Sequence, residues 1–428
     1  MLKFFICLAI FFSLSFSNVQ LIKKETKNSK NTLLVIGGIH GDEPGGYFAA
    51  SILSTSYKID SGNLWVVPNL NKESIQRDVR GIHGDMNRKF SNISNNDKDK
   101  EIVKEIKKII LSKKVSLVLN LHDGHGFYRK ENQSKIFNPN SWGQTCVIDQ
   151  CKLTQEQPFG NLNDIALSIK NKMNKRLIES HHSFDVRNTK TKFEDEAMKL
   201  SLTYFAVTNN KPAFAIETSK NLSSLAQKVF YQLVAIEEFM NIMDIKYKRD
   251  FNLDVKNIEN KLVNYGKVLI NDNISLNLNG IKRYLSYIPL KSDVNVFKFS
   301  HPLGSFRKIK DRYIILVGNK IVTTLKAQYF KEGINCPNNY EFLVDGKVKK
   351  VKKTLEIDVK DDFKVLQNNS LRVNVIGYKS EASLTEAGID VAYKYLDKRF
   401  SVDKREKIFR VEHYKNNKFC SMNMVHFE

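Results

Sequence analysis

Between about residues 30 and 248, apolar runs of strand length alternate with stretches of helical length, and no other feature constrains the fold as much. "LLVIGGI" (33–39) is an apolar run bounded by turn formers, the pattern of a buried strand. Helix-like "YFAASIL" follows, then "NLWVVP" (63–68), an amphipathic helix over about 97–113 and the strand "VSLVLNL" (115–121). A helix over roughly 162–177, the strand "PAFAI" (212–216) and a long helix over about 221–246 complete the series. This alternation predicts an α/β domain built on a largely parallel or mixed sheet.

Beyond about residue 250 the texture changes to short alternating segments such as "VNVFKFS", "RYIILVGNKIVTTL" and "LRVNVIG". The Asp345-Gly346 pair between two such runs is a hairpin signal. In "KVKKVKKTLEIDV" the lysines are expected to face solvent. We read 250–340 as one small β-rich domain and 341–428 as a second, sandwich-like one.

The chain opens "MLKFFICLAIFFSLSFS", a lysine followed by apolar or small residues over 4–16 and a small-residue end. Residues 1–17 are therefore expected to be a secretory signal peptide, too short to stay as a comfortable span. No later stretch is long and apolar enough to cross a membrane, so no permanent span is expected after cleavage. A net charge of +22 favours anionic partners. No nucleic-acid-binding motif appears, and an anionic wall polymer or acidic membrane surface suits an exported chain better. The lysine excess is equally explained by codon bias. None of the cysteines has zinc-ligand spacing, and Cys146 and Cys151 stand close enough in sequence to pair in an oxidising compartment.

Chemistry-bearing residues gather at predicted strand ends. "IGGIHGDEPGG" (36–46) holds five of the chain's 20 glycines around His40 and Glu43. His122 ends the "VSLVLNL" strand, and Glu217 follows "PAFAI". "RDVRGIHGDMNRKF" (77–90) is dense in arginine. In open α/β sheets ligands collect outside the carboxyl ends of the strands. Two histidines and a carboxylate leave a fourth zinc position open, as a catalytic site requires. Another carboxylate can take a proton from water, and arginines can grip a substrate carboxylate. Taken singly, each element is ordinary: His-x-x-Glu is frequent, and a glutamate after a strand is commonly a cap. His125 competes with His122 as a ligand, and Arg77 with Arg80.

The ordered set His40-x-x-Glu43, Arg80, Asn87-Arg88, His122 and Glu217 resembles the zinc metallocarboxypeptidases, the family of carboxypeptidase A, over about 30–248. "GGIHGDEPGG" and "DMNR" are also similar to the deacylase branch of that superfamily, the aspartoacylases and succinylglutamate desuccinylases. With a leader and two β domains, the whole chain looks most like the periplasmic peptidoglycan DL-carboxypeptidases that set helical cell shape. The resemblance implies a zinc carboxypeptidase domain over 18–249, with one zinc ion held by His40, Glu43 and His122. It implies Glu217 as general base and acid, Arg80 as the group polarising the scissile carbonyl, and Asn87 and Arg88 as the carboxylate clamp. Trp142, in "SWGQTC", is a candidate wall for the substrate, and Thr203 a candidate hydrogen-bonding partner. The substrate implied is the uncrosslinked tripeptide stem, cut between γ-D-glutamate and meso-diaminopimelate. The rival readings are a small-molecule deacylase and a non-catalytic wall-binding protein.

Overall fold

The structure is a computed structural model that describes residues 19–27, 29–366, 371–379 and 384–428. The proposed signal peptide lies outside the described residues. Seven strands form a mixed sheet in the order Ile22–Lys24, Asn63–Val67, Thr32–Ile36, Leu117–Gly124, Ala213–Ser219, Thr145–Ile148, Asp185–Asn188. The four strands from Asn63–Val67 to Ala213–Ser219 are mutually parallel. The strands Thr32–Ile36, Asn63–Val67 and Leu117–Gly124 are buried at every position, as expected of parallel strands covered on both faces. The α/β reading with a mixed sheet is therefore correct.

The flanking helices follow the apolar pattern. Lys100–Ile110 buries Val103, Ile106 and Ile110, one stripe of a 3.6-residue period. The long helix is Leu225–Ile242, shorter than the 221–246 expected, because the Ser224 side chain caps it by accepting from the Gln227 N–H.

Past residue 250 the regular structure is mostly strand. A three-stranded sheet contains Lys267–Ile270, and a four-stranded one joins Tyr284–Leu290, Lys320–Tyr329, Arg312–Val317 and Gly304–Ile309. Their apolar residues continue the core of the α/β region. Two more four-stranded sheets follow, centred on Asn339–Val344 and on Lys418–Phe427. They enclose a separate core that includes Phe342, Phe363, Phe409 and Phe427. Asp345 and Gly346, both at positive φ, make the expected tight turn between Asn339–Val344 and Lys347–Lys352. All the lysines of Lys347–Lys352 are exposed.

The cysteine pairing differs from expectation. Cys336 is bonded to Cys420, while Cys146 and Cys151 are free. Cys146 is buried in the strand Thr145–Ile148, whereas the exposed Cys151 thiol accepts a hydrogen bond from the Asn188 amide. Among the described residues no helix is long and apolar enough to cross a membrane.

Candidate active site

The glycine-rich loop after Thr32–Ile36 is packed too tightly for side chains. A Cβ on Gly41 would lie 2.1 Å from the Ser74 carbonyl carbon, and one on Gly46 would lie 2.8 Å from the Leu121 carbonyl oxygen. That second contact seats the helix Pro44–Ser56 directly on the His122 strand. It brings His40 and Glu43, on the loop, against His122.

All three side chains are buried. His40 Nδ1 is 2.8 Å from Glu43 Oε1, and His122 Nδ1 is 2.8 Å from Glu43 Oε2. One ligand atom from each lies within 4.8 Å of the others. Burial pulls the His40 imidazole down, but the Glu43 and Asp85 carboxylates outweigh it and raise its pKa to about 9. Burial likewise pushes Glu43 up, and the two imidazoles overcome that to hold it well below the usual carboxylate range. The cluster thus draws positive charge into the space between the three groups.

Two imidazole nitrogens and a carboxylate suit a divalent ion such as zinc. The far sides of both rings agree with that fit. His40 Nε2 lies 2.7 Å from Asp85 Oδ1, so its proton has a carboxylate to bond. His122 Nε2 lies 2.8 Å from the Asn120 amide, whose buried Oδ1 has no partner. A His122 that coordinates through Nδ1 carries its proton on Nε2, and an Asn120 amide turned to present Oδ1 accepts it. The same turn satisfies the orphaned oxygen.

Beside the triad is a cavity of about 320 Å3. Arg80, Asn87, Arg88, Trp142, Thr203 and Glu217 all line it. Parallel pairing sets Glu217 directly opposite His122, one strand over. Desolvation raises the Glu217 pKa to about 7, against the pull of His122. Arg80 reaches Glu43 Oε1 at 3.1 Å and Asp85 at 2.9 Å, and its side chain is 48% exposed. Asn87 accepts the Leu202 N–H at 3.0 Å through Oδ1, and Arg88 donates to the Asn87 carbonyl at 3.1 Å. The Arg187 guanidinium stacks 3.8 Å from the centroid of the Trp142 ring. Thr203 is buried, and its hydroxyl lies 3.2 Å from the Ser201 hydroxyl.

The structure separates the competing residues. His125 is exposed and lines the cavity, outside the cluster of possible ligands that contains His122. Arg77 is exposed on a short helix and is not among the lining residues. Four contributors went unread in the sequence: Asp85, Asn120, Asp123 and Lys220. Asp85 stood inside the quoted "DMNR", where its place beside arginine was the available signal. Asp123 is buried and accepts from the Gly45 N–H at 2.8 Å and from Thr218 Oγ1 at 2.5 Å, tying the start of the helix Pro44–Ser56 to two strands. Lys220 lines the cavity and pairs with Asp42 at 2.7 Å. Asn120 is marked only as a polar residue inside the apolar run "VSLVLNL", which does not say what it meets.

A family model described as the catalytic part of the carboxypeptidase controlling helical cell shape matches residues 1–264. The chain belongs to that family. A second model, the C-terminal domain of metallo-carboxypeptidase, matches residues 334–428 of this cell-shape carboxypeptidase. Among solved structures, the apo cell shape determinant protein Csd4 of Helicobacter pylori superposes with a TM-score of 0.90 at 33% identity, covering 96% of this chain and 100% of that one. The tripeptide-bound form of Csd4 matches with a TM-score of 0.89 and the same identity and coverage. The form bound to mDAP, described as a D,L-carboxypeptidase, matches at 0.89 and 33% over 95% of this chain and 100% of that one. No curated protein matches. By family the protein is a metallocarboxypeptidase, and the His40–Glu43–His122 cluster is a site able to hold its metal.

Proposed function

We propose that this cell-shape carboxypeptidase is a periplasmic zinc enzyme that trims uncrosslinked tripeptide stems of peptidoglycan to dipeptides, exported on the leader read in residues 1–17. It cuts the bond between the γ-carboxyl of D-glutamate and meso-diaminopimelate. The observation that carries this reading is one cavity that joins a two-histidine, one-carboxylate cluster to Glu217 and to the Asn87-Arg88 pair. The tripeptide and mDAP complexes of the 33%-identical Csd4 support the choice of substrate.

His40, Glu43 and His122 would hold one zinc ion per chain, which would supply Lewis-acid chemistry toward water and the scissile carbonyl. The chain's own groups do the rest. Arg88 and Asn87 bind the carboxylate of the residue being released, which fixes the peptide's register. Arg80, still half exposed while paired to Glu43 and Asp85, donates to the carbonyl oxygen as negative charge builds there. Glu217 takes a proton from water as its oxygen bonds to the carbonyl carbon, then delivers that proton to the leaving nitrogen as the C–N bond breaks. A carboxylate with pKa near 7 suits both duties. Trp142 walls the diaminopimelate side chain, and Thr203 adds a hydrogen bond.

The test is mass spectrometry of tripeptide muropeptides incubated with purified protein and zinc. Free diaminopimelate and a dipeptide stem are expected, with a stem amidated at the diaminopimelate terminus a poor substrate. Intact muropeptides beside rapid hydrolysis of an N-acyl amino acid would select the deacylase reading instead.

A further inference from the structure

A cleft of about 790 Å3 lies where Tyr287 and Phe330, from the middle sheets, face the C-terminal sandwich. It shares no lining residue with the catalytic cavity. Its wall mixes aromatic rings with charges drawn from the Arg372–Val375 and Ile408–Lys415 strands.

Arg410 and Glu412 are both 3% exposed. Their closest charged atoms are 3.6 Å apart, with no hydrogen bond between them. Glu412 Oε2 accepts from the Tyr414 hydroxyl at 2.6 Å, while Oε1 makes no hydrogen bond and has Arg410 as its charged neighbour at 3.6 Å. Arg410 donates to the Tyr287 carbonyl at 3.0 Å. Arg372 lies 4.2 Å from the centroid of the Tyr414 ring, donates to Asn374 at 2.8 Å and leaves Nε unpartnered. Arg410 and Glu412 both sit on the strand Ile408–Lys415, two residues apart, so their pairing ties no sheets together, and a buried charge left short of hydrogen bonds is costly.

The backbone carries an independent cost at the same place. Tyr287 sits at φ +58, a left-handed conformation that is rare and strained for a bulky side chain. It lies where the register between Tyr284–Leu290 and Lys320–Tyr329 shifts. That conformation sets its carbonyl on Arg410 and leaves its ring 56% exposed, lining the cleft.

We propose that this cleft is a second binding site, for an α-amino acid head group with its ammonium and carboxylate on one carbon. The carboxylate meets Arg372, backed by Arg410. The ammonium meets Glu412 Oε1, which makes no hydrogen bond, and the aliphatic stem lies against Phe330 and Tyr287. Free diaminopimelate carries this group at both ends, and an uncrosslinked stem carries it on the diaminopimelate side chain. Naming these two sources rests on the proposed function, whereas the head-group chemistry does not.

Calorimetric titration of the zinc-loaded protein with meso-diaminopimelate tests the site, with a tetrapeptide-stem muropeptide as the second arm. That stem keeps the side-chain head group and buries the other end in a peptide bond. Two sites per chain are expected for the source that is bound. Arg372→Gln and Glu412→Gln should each weaken the site outside the catalytic cavity about tenfold or more, with tripeptide hydrolysis unchanged. A single site, or a second one indifferent to both substitutions, overturns the proposal. Failure of the proposed function would instead show as no diaminopimelate release from tripeptide stems.

Discussion

Glu217 and His122 are cross-strand partners in the parallel pairing of Ala213–Ser219 with Leu117–Gly124. The ladder therefore sets a carboxylate beside an imidazole at the carboxyl edge of the sheet, on two adjacent inner strands. A register slip of one residue would turn Glu217 to the opposite face, away from the cavity and the triad.

Glu217→Gln keeps the size and the neighbours of the side chain but removes its proton-accepting oxygen. Turnover on tripeptide stems should fall about 10²–10⁴-fold, with bound zinc unchanged by elemental analysis. Near-normal turnover would remove Glu217 from the chemistry.

Asn120 acts on the metal site through His122, which it meets at 2.8 Å. Asn120→Val leaves the Nε2 proton without an acceptor and should weaken zinc binding about 10–100-fold. Asn120→Asp, which restores an acceptor, should recover most of it. Competition with a chromogenic chelator reads both variants without any activity assay, and equal affinity in all three proteins would dismiss the role.

The Cys336–Cys420 disulfide spans 84 residues of sequence. Closing a loop of that size restricts the unfolded chain by up to about 4–5 kcal/mol in the chain-entropy picture. Reduction should lower the melting temperature of the C-terminal sandwich, and Cys336→Ser should make the protein insensitive to reductant. A reductant effect that survives in Cys336→Ser would place the sensitivity elsewhere.

His413 is fully buried, stacked 3.7 Å from Tyr340, with Nε2 3.2 Å from Asn423 Oδ1. Burial lowers its pKa from 6.5 to about 3. Between those values the unfolded chain binds a proton that the folded one refuses. The contribution to stability is therefore complete above pH 6.5 and lost progressively as pH falls toward 3. Denaturant unfolding at pH 7 and pH 4.5 should show a shallower acid loss in His413→Gln than in the parent. Parallel losses would mean other groups carry the acid sensitivity.

What could be read from the chain alone was whatever its local pattern encodes. Runs such as "LLVIGGI" and "VSLVLNL" announced buried strands because a strand covered on both faces has no need of polar residues. The helix ends slipped by several residues because caps such as Ser224 outweigh an apolar period that continues past them. His40, Glu43, His122 and Glu217 could be picked out because each stands at the end of such a run, where a parallel sheet presents its residues to ligands. Arg80 over Arg77 and His122 over His125 were undecidable there, since neighbours in one loop differ only in where the folded backbone points them. The same holds for Cys336 and Cys420, distant in sequence and adjacent only once the strands pair. Asn120, Asp85 and the buried charges around Arg410 matter through partners up to 123 positions away. Those contacts exist only after packing has excluded water, and no pattern of residue types along the chain can carry them.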